Sequence, residues 1–334
     1  MTKPVVYKQG EIVAELERRI DAGTYHSGIP AGAELATEFG VNIKTVNKAV
    51  NQLVESGRLA RRRGVGTFVI SRSAGDRQIE VLFEGYFSLF DHPFWGEIWN
   101  GCIARLIDYG YRPVLTRVRA DDAGNLLLDD FQFSRTEGKV LLGITQPEFL
   151  KLLQEQNVPA VSAGDRLADP DFMQVYFDYE PGIGEAMRFL VSRNCRRIAF
   201  LGEVRSSYNP MLLCKFNAYR HALESLGLYD PELAEHARPL PEAAGHALRV
   251  LLERTMPDAL FVAGDHQVPY VEKVLKEKGL RLPVIGCDGL AFATWPTVAL
   301  PRRAAGEAAA RLLVSRLSGR ISEDCAVLPT RFIC

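Results

Sequence analysis

Apolar residues at Ile12, Leu16 and Ile20 recur every fourth position with charges on the faces between, so residues 7–22 predict an amphipathic helix closed by Gly23. Residues 24–32 read as a turn-rich connector, and residues 33–39 as a short helix ended by Gly40. Asn42 stands as the N-cap of a third helix running to about residue 56. Val46, Val50 and Leu53 form its inner face, and Lys44, Asn47, Lys48 and Asn51 share its outer one. Gly57 stops this helix, and residues 58–69 read as two short strands around the basic turn Arg61-Arg62-Arg63-Gly64 with Gly66 beyond it.

Residues 71–78 are small and polar and predict a flexible linker. Beyond them, strand and helix patterns alternate to the end of the chain. Strands are expected over 79–84, 112–116, 139–144, 160–163, 197–202, 259–263 and 284–286. Helices are expected over 94–109, 147–156, 181–193, 211–226, 242–254, 268–278 and 302–318. Such alternation implies parallel sheets with helices on both faces. So many strands in this length imply two α/β lobes, with a ligand at the carboxyl ends of their strands. The expected organisation is therefore a small helical domain with a basic hairpin over 1–70, a linker over 71–78 and a two-lobed domain over 79–334.

Composition changes the picture in one respect. The 334 residues carry a net charge of −1, yet residues 1–72 hold 11 Lys and Arg against 7 Asp and Glu, while the rest hold 29 against 34. A basic head on an acidic body implies that only the head meets a polyanion. The N-terminus lacks the apolar run of a signal peptide and no window approaches a membrane span, so a cytoplasmic protein is expected. The six cysteines (Cys102, Cys195, Cys214, Cys287, Cys325 and Cys334) form no Cys-x-x-Cys pair. They are read as reduced thiols, with neither a metal site nor a cofactor expected.

Helix, short helix, turn, helix and basic hairpin make a winged helix-turn-helix. Lys44, Thr45, Asn47 and Lys48 are the expected base-facing residues, since amide side chains bond adenine edges in a major groove. Arg61, Arg62 and Arg63, with Gly64 and Gly66, let a hairpin approach phosphates, although such a run standing alone could equally be a solvated surface. Gly23-Thr-Tyr25, Pro30, Glu34-Leu-Ala36, Phe39-Gly-Val41, Thr45-Val46, Leu53, Gly57 and Arg63-Gly-Val-Gly-Thr-Phe-Val69 resemble the DNA-binding domain of GntR-type repressors. Two departures stand out: Ala31-Gly32-Ala33 where that family usually has Ser-Glu-Arg, and Asn42-Ile43 where it usually has Ser-Arg. Two arginines that typically reach bases or phosphates are missing, so no operator sequence carries over.

From Ile79 onward the chain resembles the effector domain of lac-repressor-type regulators, a periplasmic-binding-protein-like (type I) fold. The resemblance rests on His92-Pro-Phe-Trp95, Asp165-Arg166, Asp178, Arg197-Ile-Ala-Phe-Leu-Gly202, Ala222-Leu223 with Gly227-Leu228, Ala263-Gly-Asp265 and Gly286-Cys-Asp-Gly289. A GntR-type head on such a body is the layout of arabinose-repressor-type regulators. The resemblance implies a small-molecule effector, a sugar or sugar derivative, with double-stranded operator DNA and a second copy of the chain as the other partners. No membrane partner is implied. It assigns His92, Phe94 and Trp95 to an aromatic platform, Asp288 and Arg166 to sugar hydroxyls, and Asp178, Lys215 and Asp265 to the same cleft. Phe94 could instead be a packing residue, and Arg166 a surface arginine.

Lys215 stands where many such proteins place arginine, and Gly264 where they place asparagine. A lysine has no planar fork, so either the ligand carries an anionic group or the pocket is looser. Two other classes compete with a regulator. A transport receptor fits the body but not the DNA-binding head. An enzyme would need a phosphate loop, a zinc-protease motif or a nucleophile elbow, and none occurs. Gly182-Ile-Gly184 is a fragment of a dinucleotide fingerprint, with Met187 at its third glycine position.

Overall fold

The computed structural model describes all residues except 1–8, 22–23, 26–27, 57, 63–65, 70–76, 85–92, 122–124, 130, 207–212 and 320–323. The linker expected over 71–78 lies mostly outside the described residues, as do Gly23, Gly57, Arg63, Gly64 and His92. The chain divides into two units, Met1–Asp76 and Arg77–Cys334.

In the first unit, α1 (Gln9–Asp21), α2 (Gly32–Glu38) and α3 (Ile43–Glu55) precede the hairpin of β1 (Leu59–Arg62) and β2 (Gly66–Val69). Ile12, Leu16, Leu35, Phe39, Val46, Val50, Leu53 and Leu59 are buried together, which joins the three helices to the first wing strand. Removing this much apolar surface from water is what holds so small a unit together. The Asn42 carboxamide accepts a hydrogen bond from the Lys44 amide at 2.8 Å, capping α3 as its sequence predicts. Arg19 ties α1 to α2: it pairs with Glu15 and Glu38, donates to the Tyr25 hydroxyl and lies over the Phe39 ring.

The second unit contains two six-stranded sheets among the described residues. One lobe holds β3 (Gln78–Glu84), α4 (Pro93–Asp108), β4 (Arg112–Val118), β5 (Gly138–Leu142), α5 (Pro147–Gln154), β6 (Ala160–Gly164) and β7 (Gln174–Asp178). The other holds α6 (Glu180–Ser192), β8 (Ile198–Gly202), α7 (Cys214–Ser225), β9 (Ala234–His236), α8 (Ala243–Arg254), β10 (Ala259–Val262), α9 (Val268–Lys278), β11 (Val284–Asp288) and β12 (Thr297–Ala299). The chain then returns to the first lobe with α10 (Arg302–Leu317) and β13 (Cys325–Pro329), and closes on the second with β14 (Arg331–Ile333). The sheet orders are β13-β7-β6-β5-β3-β4 and β14-β12-β11-β10-β8-β9, parallel throughout except where β14 runs against β12.

The chain therefore passes between lobes three times: after Asp178, between Ala299 and Arg302, and between Pro329 and Arg331. Two of these passages are stitched together, because the Thr330 amide and hydroxyl both donate to the Asp178 carbonyl, at 3.0 and 2.9 Å. Each passage leaves a parallel strand at its carboxyl end, so the carboxyl edges of the two sheets face one another across a cleft. Helices α4 and α10 approach closely enough that a Cβ on Gly306 would lie 1.9 Å from the Ile98 carbonyl oxygen and one on Gly101 2.1 Å from that of Arg303. Only glycine fits either position.

One polar pair sits inside the first lobe. Lys139 on β5 reaches Glu80 on β3 at 2.6 Å, with the two side chains 1% and 0% exposed. The Lys139 ammonium also donates to the Ser134 carbonyl and the Thr136 hydroxyl, and Glu80 accepts from Thr116 and the Ser134 amide. Burial disfavours the Glu80 carboxylate, but these donors outweigh it and hold its pKa below the ordinary value.

Candidate functional site

The outer face of α3 leaves Lys44, Asn47 and Lys48 exposed, with Thr45 half-buried beside Val46. Arg61 on the first wing strand donates to the Asn47 side-chain oxygen at 3.4 Å, so the wing and the third helix touch through two expected DNA-facing residues. A Cβ on Gly32 would come 3.3 Å from that same oxygen. The glycine that replaces the usual glutamate thus makes room for the Asn47 amide. Arg62 pairs with Gly66 in the strand register, and Gly66 adopts φ +138°, a conformation natural to glycine.

In the second unit, Asp288 ends β11 with φ +111° and is 3% exposed. Lys215, near the start of α7, places its ammonium 2.6 Å from the Asp288 carboxylate and 2.7 Å from the Ala263 carbonyl, and 5.5 Å from the centre of the Tyr179 ring. Burial pushes the Asp288 carboxyl up, against the pull of Lys215. Burial works against the Lys215 ammonium too, but Asp288 and its neighbours outweigh it and hold the lysine charged. The question posed by a lysine at this position is answered here: its charge is neutralised within the protein.

Asp265 is 0% exposed. It accepts from the Leu290 amide at 2.8 Å, from Trp295 at 2.9 Å and from the Thr297 hydroxyl at 2.9 Å. A Cβ on Gly286 would lie 2.0 Å from this carboxylate, which explains the glycine two residues before Asp288. Asp265 therefore supports the loop carrying Asp288 from behind. Asp178 lies at the lobe passage, its carboxylate accepting from the Glu180 amide at 3.0 Å at the start of α6. Phe94 is in the core, edge-on to Trp95 at 4.8 Å and to Phe177 at 6.3 Å, the place of a packing residue. Trp95 is only half-buried and lies over the strand-end glycines, with a Cβ on Gly164 2.9 Å from its ring. Arg166 is exposed at the end of β6, 5.0 Å above the Tyr176 ring.

Several residues at the cleft, Asp165 of the Asp165-Arg166 pair apart, carry no motif. Glu84, Asp165 and Glu203 follow or end β3, β6 and β8 at the facing edges. Arg302, buried at the start of α10 beside the second lobe passage, donates to the Asp288 and Gly289 carbonyls and links the Asp288 loop to that passage. His266 fills the space beside Gly264, where a Cβ would lie 2.6 Å from its ring. Burial, with Lys215 nearby, lowers its pKa to about 4 and keeps it neutral. Burial also pushes up the thiols of Cys214 and Cys287, so neither is an activated nucleophile.

Burial raises the Asp165 carboxyl to about 7, with Glu84 and Glu203 adding to the rise and Lys215 opposing it. The folded protein holds this proton more tightly than the unfolded chain does, so stability falls as pH rises from about 4 to about 7. Asp165→Asn is expected to melt with the wild type near pH 4 and to be more stable above pH 7 by about 1–3 kcal/mol. Melting curves of both proteins across pH 4–8 check this; parallel curves would contradict it.

Head and body together define a two-domain layout: a winged helix-turn-helix joined to a periplasmic-binding-protein-like α/β domain. Residues 8–69 match the gntR family of bacterial regulatory proteins, and residues 187–334 match the periplasmic binding protein-like domain. The head is similar to the histidine utilization repressor of Klebsiella aerogenes, 37% identical over 68 residues, which are 20% of this chain and 28% of that one. A longer likeness is to the HTH-type transcriptional repressor MelR of Bacillus subtilis, 24% identical over 221 residues, 60% of this chain and 63% of that one. The chain thus spans less than two thirds of the length of either relative. Among solved structures, the transcriptional regulator CelR–cellobiose complex superposes with a TM-score of 0.68 at 24% identity, over 92% of this chain and 99% of that one, a likeness of fold.

Proposed function

We propose that this protein is a transcriptional regulator, a repressor, whose head binds operator DNA and whose interlobe cleft binds a small sugar-like effector. The observation that carries it is the joining, in one chain, of a GntR-type head to a two-lobed binding domain whose facing strand ends pair the buried Asp288 with the half-buried Lys215. A receptor for transport has no use for the head. In the effector site, Asp288 and Lys215 meet hydroxyl groups and Trp95 offers a ring face, while Asp265 and Arg302 hold the Asp288 loop in place. The sugar class is supported by the cellobiose named with the CelR structure.

In the head, Arg61, Arg62, Arg63, Gly64 and Gly66 act on phosphates, and Lys44, Thr45, Asn47 and Lys48 include the base readers. One winged helix reads only a few base pairs, so the active species is a two-fold dimer on two half-sites. Asn47→Ala is expected to lower the ratio of operator to random-DNA affinity by about 1–3 kcal/mol, roughly tenfold to a hundredfold. Arg61→Ala should weaken both alike and shallow the salt dependence by about one unit. Fluorescence anisotropy titrations at several salt concentrations measure both effects. An Asn47→Ala protein with unchanged selectivity would mean that α3 does not present this face to bases.

A further inference from the structure

From residue 43 to residue 52 the exposed side chains of α3 are Ile43, Lys44, Asn47, Lys48, Asn51 and Gln52. They form two rows at i, i+4 spacing, 43-47-51 and 44-48-52, which lie side by side as one face. The face carries two lysines, three amides and no carboxylate, a composition suited to a groove of phosphates and base edges. Ile43 is its one apolar member. It is 45% exposed, and no other large hydrophobic residue is exposed among the described residues of the first unit. It takes no part in the buried cluster that joins the three helices. Its place is fixed all the same. The Asn42 cap on the Lys44 amide makes Ile43 the first residue of the helix. A Cβ on Gly32 would lie 3.9 Å from the Ile43 Cγ1 and 3.3 Å from the Asn47 Oδ1, so both side chains flank the same glycine, one helical turn apart. Ile43 is also β-branched, and so has little rotamer freedom to lose on contact.

In a helix-turn-helix the N-terminal residues of the recognition helix meet the base edges. In the major groove adenine, guanine and cytosine offer hydrogen-bonding groups, which an apolar side chain strips of water and cannot replace. Thymine alone adds a C5-methyl group. We infer that Ile43 is a specificity-determining residue that packs on the C5-methyl of one thymine in each operator half-site. The inference rests on α3 being the helix that enters the groove, and adds to that reading the base its first turn selects. Selection works in two ways. Burying the thymine methyl against Ile43 is favourable, and any other base leaves a polar edge unpaired against the isoleucine. Lys44, Asn47 and Lys48 work through charge and hydrogen bonds. The isoleucine contact releases no counterions, so its share of the discrimination does not vary with salt.

The test uses the full chain and a library of DNA duplexes with a randomised core, from which bound sequences are enriched by wild type, Ile43→Ala and Ile43→Val. Wild type and Ile43→Val are expected to enrich a thymine at one fixed position of each half-site. Ile43→Ala should lose the preference at that position and keep the others. Deoxyuridine placed there in the wild-type sequence then removes the methyl and nothing else. In anisotropy titrations, deoxyuridine in both half-sites should weaken wild-type binding by about tenfold, about three- to fourfold per site, and Ile43→Ala binding by less than about twofold. The wild-type loss should be the same at low and high salt. Residue 43 is exposed, so the three proteins should also melt alike. Half-sites with no thymine that depends on residue 43, or a deoxyuridine loss equal in wild type and Ile43→Ala, would overturn the inference while leaving α3 as the reading helix. Enrichment of no sequence at all by the wild type would count against the head as a base reader, and against this inference with it.

Discussion

Asp288→Asn is expected to abolish the effector response at effector concentrations that saturate the wild type, while operator affinity without effector stays within about twofold. A ligand shifts DNA affinity only through its differential affinity for two states of the protein. Asp288 is placed to supply much of that difference, being buried at the cleft and held by Lys215 in front and Arg302 behind. Asparagine keeps the shape and tolerates the positive φ of 111°, whereas alanine would add strain. What is lost is the charge that orders Lys215 and the charge-assisted bonds to ligand hydroxyls. Each such bond contributes about 1.5–3 kcal/mol, so effector affinity should fall by roughly tenfold to a hundredfold per bond. Calorimetry for the effector and anisotropy for DNA, on the same preparations, separate the two effects. Retained effector affinity in the variant would remove Asp288 from the site.

The largest stability effect is expected at Lys139. Lys139→Ala leaves the Glu80 carboxylate fully buried without its cation, which costs about 3–5 kcal/mol. For a unit of this size that is a melting shift of about 10 °C, at about 2–4 °C per kcal/mol. The double change Glu80→Leu with Lys139→Met should recover most of it, since a matched apolar pair needs no charge compensation. The sign of the pH dependence follows from the lowered Glu80 pKa: its contribution is complete above the ordinary carboxylate range and is lost as pH falls through it. The wild-type advantage over Lys139→Ala should therefore shrink in acid. Calorimetric melting of the single and double variants across pH 3–8 checks both points, and a single variant that melts like wild type would show the pair to be idle.

What the sequence made legible follows the strength of its local signals. The helices of the head appear because Ile12, Leu16, Val46, Val50 and Leu53 recur at helical spacing and Asn42 caps α3. The parallel core strands appear because they are continuous apolar runs, such as Val140–Leu142 within β5. The strands β7, β9, β12, β13 and β14 escaped notice, being short or broken by polar residues such as Gln174, whose side chain bonds the loop just before its strand, and Thr297, whose hydroxyl reaches Asp265. With them went the three lobe passages, because a strand pattern does not say which sheet the strand joins.

The cleft was legible only in part, for a related reason. Asp288 and Lys215 were each recognisable, but their pairing joins residues 73 positions apart and reverses the meaning of the lysine. The resemblance assigns Asp265 to the cleft, and its carboxylate accepts hydrogen bonds from Trp295 and Thr297. Glu84 and Glu203 resemble ordinary surface acids until the two sheet edges are brought face to face.

The central claim is that DNA binding by the head and effector binding by the body are coupled in one molecule. The most direct measurement is a pair of operator titrations on the full chain, with and without a saturating effector found by thermal shift. Coupling of about 1–3 kcal/mol predicts an apparent Kd that changes by roughly fivefold to 150-fold. By reciprocity, operator DNA should change effector affinity by the same factor. An operator Kd that is unmoved while the effector demonstrably occupies the cleft would contradict the account.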